Sequence, residues 1–182
     1  MTNPPTLRAD ARRNRAHILE VAAEAFATEG LSVPVHEIAR RAGVGTGTVS
    51  RHFPTKEDLF TAILRAGADE LVAEADALAE RDDPGTAFFT YLTAVVRAGA
   101  ANRALAEQLA AVGDQDAQHE RMGLDLLCDR TESLLDSAQK VGAVRDDVTL
   151  DDVQTLMAAC MTRGQGPALD PILAVVTEGL RA

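Results

Sequence analysis

Residues 35–53 read VHEIARRAGVGTGTVSRHF. Two short apolar-periodic segments flank a glycine-containing turn, the pattern of a helix-turn-helix. The first helix is predicted over Val35 to Ala42, with Ile38 and Ala39 inward and Gly43 as its stop. Gly45 is the expected N-cap of a second helix, Thr46 to Phe53, which Pro54 ends. Ile38, Ala39, Val44, Val49 and Phe53 are expected to form a small core against Leu19, Ala23 and Phe26 of the preceding helix. The second helix then turns Thr46, Gly47, Thr48, Ser50, Arg51 and His52 outward. These are short donors, one long cation and no acid, which suits a helix entering the phosphate-lined major groove.

The flanks extend the helical reading. Residues 1–7 (MTNPPTL) read as a loose arm, followed by Arg8, Arg12, Arg13 and Arg15 at the head of a long helix. Thr55 to Asp58 has capping-box spacing and opens another long helix, with Leu59, Phe60, Ile63, Leu64, Gly67, Leu71, Ala75 and Leu78 inward. Asp82 to Gly85 breaks it. Helices are then predicted over 86–100, 102–112 and 116–140. Thr149 to Asp152 repeats the capping-box spacing ahead of Val153, Leu156, Met157, Cys160 and Met161. Asp170 is expected to cap a last helix with Pro171 in its first turn. The expectation is an all-α fold of about nine helices, divided into residues 1–56 and 57–182.

Composition agrees. The chain has 182 residues with 33 alanines, 46% hydrophobic residues and 3% aromatics. Alanine favours helix, and strand-forming residues are sparse. Charge is uneven: residues 1–56 carry a net +3 and residues 57–182 a net −13. A basic head on an acidic body suits a head that meets a polyanion. No apolar run has the length of a membrane span, and no signal-peptide pattern opens the chain. Two cysteines make neither a disulfide framework nor a metal site, so reduced thiols and a cytoplasmic location are expected.

The block ILEVAAEAFATEG followed by VHEIARRAGVGTGTVSRHFPTKEDLFTAIL resembles the N-terminal domain of the tetracycline-repressor (TetR) family of bacterial regulators. The likeness covers roughly residues 12–64. It rests on Phe26 and Gly30, Ile38-Ala39, Ala42-Gly43-Val44, Gly47-Thr48, His52-Phe53 and Lys56 to Leu59 at family spacing. The resemblance implies a homodimeric transcriptional regulator, most often a repressor, associated with the bacterial nucleoid. It implies a partner in near-palindromic double-stranded operator DNA. A helical C-terminal domain would dimerise and bind a small-molecule effector, unidentified by the sequence, that releases the DNA. Carried onto this chain, the DNA face is Thr46, Gly47, Thr48, Ser50, Arg51, His52 and Lys56, with Arg12, Arg13 or Arg15 near the backbone. Ser50 stands where the family usually has Tyr, and Pro34 where Thr commonly caps the second helix. The implied effector pocket lies within residues 59–140, where Phe88, Phe89 and Tyr91 are the only aromatics past Phe60. The implied dimer seam pairs helices 150–163 and 171–181 with their copies, through Val153, Met157, Cys160, Met161, Gly164 and Val176.

Other chemistries find no support in the pattern. Gly43 to Gly47 follows a helix and lacks the GK[ST] ending of a phosphate loop. His17, His36, His52 and His119 have no ligand spacing, and no catalytic motif occurs, so neither metal, cofactor nor enzymatic activity is expected. Cys128 and Cys160 fall on inward stripes and read as packing residues. The alternative to a regulator is a helical small-molecule-binding or interaction protein with a weakened DNA-binding domain, the reading Ser50 and Pro34 keep open.

Overall fold

A computed structural model of the chain describes residues 4–110, 123–162 and 167–182. Among them are eight helices: α1 (Pro4–Glu29), α2 (Val35–Arg41), α3 (Thr46–His52), α4 (Lys56–Arg81), α5 (Pro84–Ala110), α6 (Leu124–Lys140), α7 (Leu150–Met161) and α8 (Leu169–Leu180). No strand occurs among the described residues; one isolated bridge joins Val144 to Arg181. The chain divides into compact units at Met1–Leu64 and Arg65–Ala182. The first turns of α4, which bury Leu59, Phe60 and Ile63, fall in the first unit.

In the N-terminal unit, Ile18, Ala22 and Phe26 of α1 pack with Ile38, Ala39, Val49 and Phe53, all at most 5% exposed. Phe26 meets Phe60 edge-on, with centroids 5.0 Å apart. Gly43 sets the turn between α2 and α3. Its φ of +66° places it in the left-handed region. The amide of Gly43 donates to Arg40 O at 3.2 Å and that of Val44 to Ala39 O at 3.0 Å, a Schellman closure that needs this backbone.

The C-terminal unit is built around α5, which packs on α6 and α7. Phe88, Tyr91, Leu92 and Val96 of α5 are buried with Leu134, Leu135 and Ala138 of α6 and Val153 of α7. Asp83 caps α5 by accepting the Thr86 amide at 3.0 Å, and Pro84 takes the first helical position, where no amide is needed. The Thr149–Asp152 capping box that opens α7 is closed in both directions.

Several local expectations are corrected. The proline-bearing arm is already helical from Pro4, because the first turn of a helix tolerates proline. The expected helices 86–100 and 102–112 are one helix through Ala110, since Ala100-Ala101-Asn102 contains no breaker. The last helix starts at Leu169 with Ala168 as N-cap; the Asp170 carboxylate pairs instead with Arg97 at 2.6 Å. Cys128 is exposed, not packed, whereas Cys160 is buried. The expected break at Gly113-Asp114, the start of the 116–140 helix, and Gly164 lie outside the described residues.

Candidate nucleic-acid interface

The seven residues of α3 divide cleanly by burial. Val49 is fully buried and anchors the helix, with Phe53 just beyond its end. Thr46, Gly47, Ser50 and Arg51 are exposed, while Thr48 and His52 are half-buried. A Cβ placed on Gly47 would meet nothing within 4 Å. The protein's own packing therefore does not require glycine there, and the free space lies on the outer face.

The charges around this face are sorted by pairing. Glu37 takes Arg40 in a two-pronged contact at 2.6 and 2.8 Å and also accepts from Arg41 Nε at 2.8 Å. Arg41 reaches back to Glu29 at the end of α1, with one contact at 2.9 Å. Hydrogen bonds from Arg40, then Arg41, hold the Glu37 carboxyl down at about 2, and the Arg41 contact lowers Glu29 as well. Both acids of this corner are thus consumed by Arg40 and Arg41. Arg13 pairs with Asp10. Arg15 lies over the Phe53 ring, 5.1 Å from its centroid, at the end of α3. Among the described residues Arg12, Arg15 and Arg51 have no ion-pair partner. The Glu37 network was missed by the sequence reading, although Glu37, Arg40 and Arg41 stand at spacings of three and four on one helix.

Lys56 makes contacts within the N-terminal unit. Its ammonium donates to the Leu31 carbonyl and lies 5.4 Å above the Phe26 ring and 5.7 Å from the Phe60 ring. The side chain ties the α1–α2 turn to the start of α4. The Thr55–Asp58 capping box beside it is complete: Asp58 N donates to Thr55 Oγ1 and Thr55 N to Asp58 Oδ2, each at 3.0 Å.

The residues singled out in the second unit are scattered. Phe88 and Tyr91 are buried core, and Phe89 lines a pocket. That half-open pocket, of about 320 Å³, lies between Asp83, Thr86, Thr90, Ala143 and Arg181. The Arg181 guanidinium stacks 4.5 Å from the Phe89 centroid. Val153, Met157 and Cys160 are buried within the protomer, on the helix that packs against α5. Met161 is half-buried and lies where a Cβ on Gly99 would collide with it. Val176 is half-buried against the same core. No group of three or more His, Cys, Asp or Glu able to hold a metal occurs among the described residues. No described helix is long and apolar enough to cross a membrane.

A helix-turn-helix with an acid-free outer face, carried on an all-helical chain, defines a DNA-binding regulator. Comparison with known proteins gives the family. Residues 18–63 match the family of bacterial regulatory proteins called tetR, and residues 83–182 match the C-terminal domain of SbtR-like transcriptional regulators. A solved TetR transcription regulatory protein from Mycobacterium vanbaalenii is 39% identical, covering 97% of this chain and 99% of that one at a TM-score of 0.78. The TetR transcriptional regulator SCO0520 from Streptomyces coelicolor is 28% identical over 92% of this chain and 98% of its own, at 0.75. An HTH-type transcriptional regulator of Staphylococcus aureus is 38% identical over 64 residues, 35% of either chain, so this chain matches only about a third of that curated relative's length. The chain belongs to the TetR family of bacterial transcriptional regulators, and it is a DNA-binding protein of that family.

Proposed function

We propose that the protein is a homodimeric repressor that reads a near-palindromic operator through α3 and leaves it when a small molecule binds the C-terminal unit. The carrying observation is the charge sorting around α3. Glu29 and Glu37 are neutralised by Arg41 and Arg40, while Arg12, Arg15 and Arg51 have no ion-pair partner among the described residues. In this reading Arg51 reaches a base edge or phosphate, and Thr46, Thr48, Ser50 and His52 donate to phosphates. Gly47 lets the helix approach closely. Lys56 shapes the unit from within rather than contacting phosphate through its ammonium.

The dimer rests on the outer faces of α7 and α8. Thr155, Ala158 and Ala159 on α7 and Ala174 and Val175 on α8 are exposed, Val175 by 73%. Small side chains at these spacings allow the helices of a second copy to approach closely, and an isologous contact presents the same face from both subunits. Met161 and Val176 flank this face rather than forming it. The effector reading places a ligand among α4, α5 and α6, with Tyr91 and Phe89 as the aromatic candidates and Phe88 as packing.

A mobility shift with DNA from upstream of the protein's own gene, across a salt series, tests the assignment. Binding should weaken steeply with salt, as phosphate contacts require. Sedimentation of Val175→Glu should show monomer and the loss of operator binding together; a variant that still sediments as a tight dimer overturns the seam.

A further inference from the structure

The half-open pocket of about 320 Å³ beside the first turns of α5 holds two opposite charges that are not spent on each other, those of Asp83 and Arg181. It lies at the surface: Asp83, Thr86, Thr90 and Arg181 are all exposed. Its floor depends on one glycine. A Cβ on Gly85 would stand 2.7 Å from the Ala143 Cβ, so only glycine lets the turn after α6 close on α5. The end of α8 is held against the same turn, where Val144 pairs with Arg181 and Arg145 N donates to Leu180 O at 3.1 Å. That pairing sets the Arg181 guanidinium over the Phe89 ring, 4.5 Å from its centroid.

Neither charge has a full partner. The Thr86 amide donates to Asp83 at 3.0 Å and favours its ionised form. Among the described residues no cation pairs with Asp83, because Arg81 takes Asp82 instead. Arg181 has one ion contact, to Glu178 at 3.4 Å, and makes no hydrogen bond among the described residues. Arg145, by contrast, grips Asp147 through two contacts of 2.6 Å. We propose that this pocket binds a small zwitterion of the α-amino acid type with a short apolar side chain. Arg181 takes the carboxylate through its guanidinium fork, and Asp83 takes the ammonium. A lone anion at Arg181 would also face Asp83 and Glu178, and a lone cation at Asp83 would face Arg181. A molecule with both charges satisfies both groups. The volume is at the low end of ligand pockets, roughly 300–1,000 Å³, which suits an amino acid and not a nucleotide. The guanidinium already covers the Phe89 ring, so the Ala143 methyl is the apolar contact left, and the side chain must be short. The site is apart from the core between α4, α5 and α6 and does not rest on the effector reading.

Amide NMR titration of the full chain tests this with L-valine and its two halves, 3-methylbutanoate and isobutylamine. Half-exposed charge contacts are weak, so a valine Kd of about 1 mM is expected, read at the Gly85, Thr86 and Ala143 amides. Each half should bind at least about tenfold more weakly. Asp83→Asn keeps an N-cap, since asparagine caps as well as aspartate. It should weaken valine about tenfold and bind 3-methylbutanoate more tightly than wild type does, because the repelling charge is gone. Arg181→Gln should weaken valine likewise and improve isobutylamine. These opposite responses to the two halves cannot come from a misfolded variant. Wild-type protein that binds valine and 3-methylbutanoate alike would overturn the proposal and leave a simple anion site. Valine that leaves these three amides unmoved at about 10 mM would overturn it as well.

Discussion

The turn that closes α2 in the N-terminal unit and the one that closes α6 in the C-terminal unit are near copies. Gly43 and Gly142 both take positive φ, and in each turn the glycine and the residue after it donate back to the last turn of the helix. The openings match too: Thr55–Asp58 before α4 and Thr149–Asp152 before α7 are capping boxes closed in both directions, with Asp where Glu is usual. The units differ in where their chemistry sits. In the first, two seven-residue helices spend a few apolar residues inward and keep the functional groups outside. In the second, α5 is buried along most of its length, and the group with unsatisfied chemistry, Tyr91, is inside. Shared local devices therefore fix helices in both, while the polar groups of α3 face outward in one and an unpartnered hydroxyl lies within the core in the other.

The largest expected effect probes whether each core stands by itself. Phe53 is 3% exposed and caps the small core of the first unit. Phe53→Ala should cost about 3–5 kcal/mol there and abolish operator binding. Leu92→Ala should cost about 2–5 kcal/mol in the second unit. Hydrogen exchange should show each loss of protection confined to its own side of residue 64. Protection lost equally throughout the chain in both variants would break the comparison.

Next come the surface residues of the first unit. Arg51→Ala should cost about 1–3 kcal/mol at one operator position and relax preference there, as read by binding-site selection. Arg12→Ala and Arg15→Ala should weaken all sequences alike and lower the salt slope by about 1 per lost phosphate contact. Lys56→Met should lower stability and leave the salt slope unchanged, because the ammonium is engaged with Leu31 and two aromatic rings. A slope that falls in Lys56→Met would return this lysine to the DNA face.

The same contrast explains what the sequence made legible. The helix-turn-helix is encoded by near neighbours: Ile38, Ala39, Gly43, Val49 and Phe53 lie within sixteen positions, and each has a local reason for its type. The exposed side of α3 followed at once. Charge pairing was less visible. Arg41 is held by Glu29, twelve residues before it, a pairing that only the packing of α1 against α2 brings about. In the second unit, Val153, Met157 and Cys160 have the spacing of a seam, but spacing alone does not say whether α5 or a second subunit covers them. Gly99 marks the close approach of Met161, a contact between helices that spacing does not reveal. An orphaned hydroxyl such as Tyr91 depends on three helices meeting, which no single stretch of sequence records.

The capping boxes allow a matched pair of smaller changes. Thr55→Ala and Thr149→Ala each remove a side-chain acceptor for an N-terminal amide, worth about 0.5–2 kcal/mol. Urea unfolding followed by unit-specific probes should place the first loss in residues 1–64 and the second in 65–182. Equal losses would confirm that the two boxes are equivalent devices. A negligible effect at Thr55 would mean that α4, which continues to Arg81, is held by its length and not by its cap.

The smallest effect distinguishes how the two units keep their carboxylates ionised. Glu37 is held at about 2 by hydrogen bonds from Arg40 first and Arg41 second. Asp152 is lowered chiefly by the Thr149 hydroxyl and amide, and Asp83 chiefly by the Thr86 amide. All are depressed in the folded state, so each contributes stability that is present above its ordinary value. For Glu37 that value is 4.5, and the contribution fades as pH falls toward about 2. These groups are exposed, so the thermodynamic effect is slight, and carboxyl NMR titration is the sensitive measurement. Arg40→Gln should raise the Glu37 midpoint and leave Glu29 depressed, since Arg41 is the main cause there. Arg41→Gln should return Glu29 toward its ordinary range while Glu37 stays low. Raising salt should move Glu37 and Glu29 upward, because screening weakens the arginine attraction, and should move Asp83 and Asp152 much less, because their partners are uncharged. Equal salt shifts in all four would erase this difference between an arginine-paired corner and a pair of neutral caps.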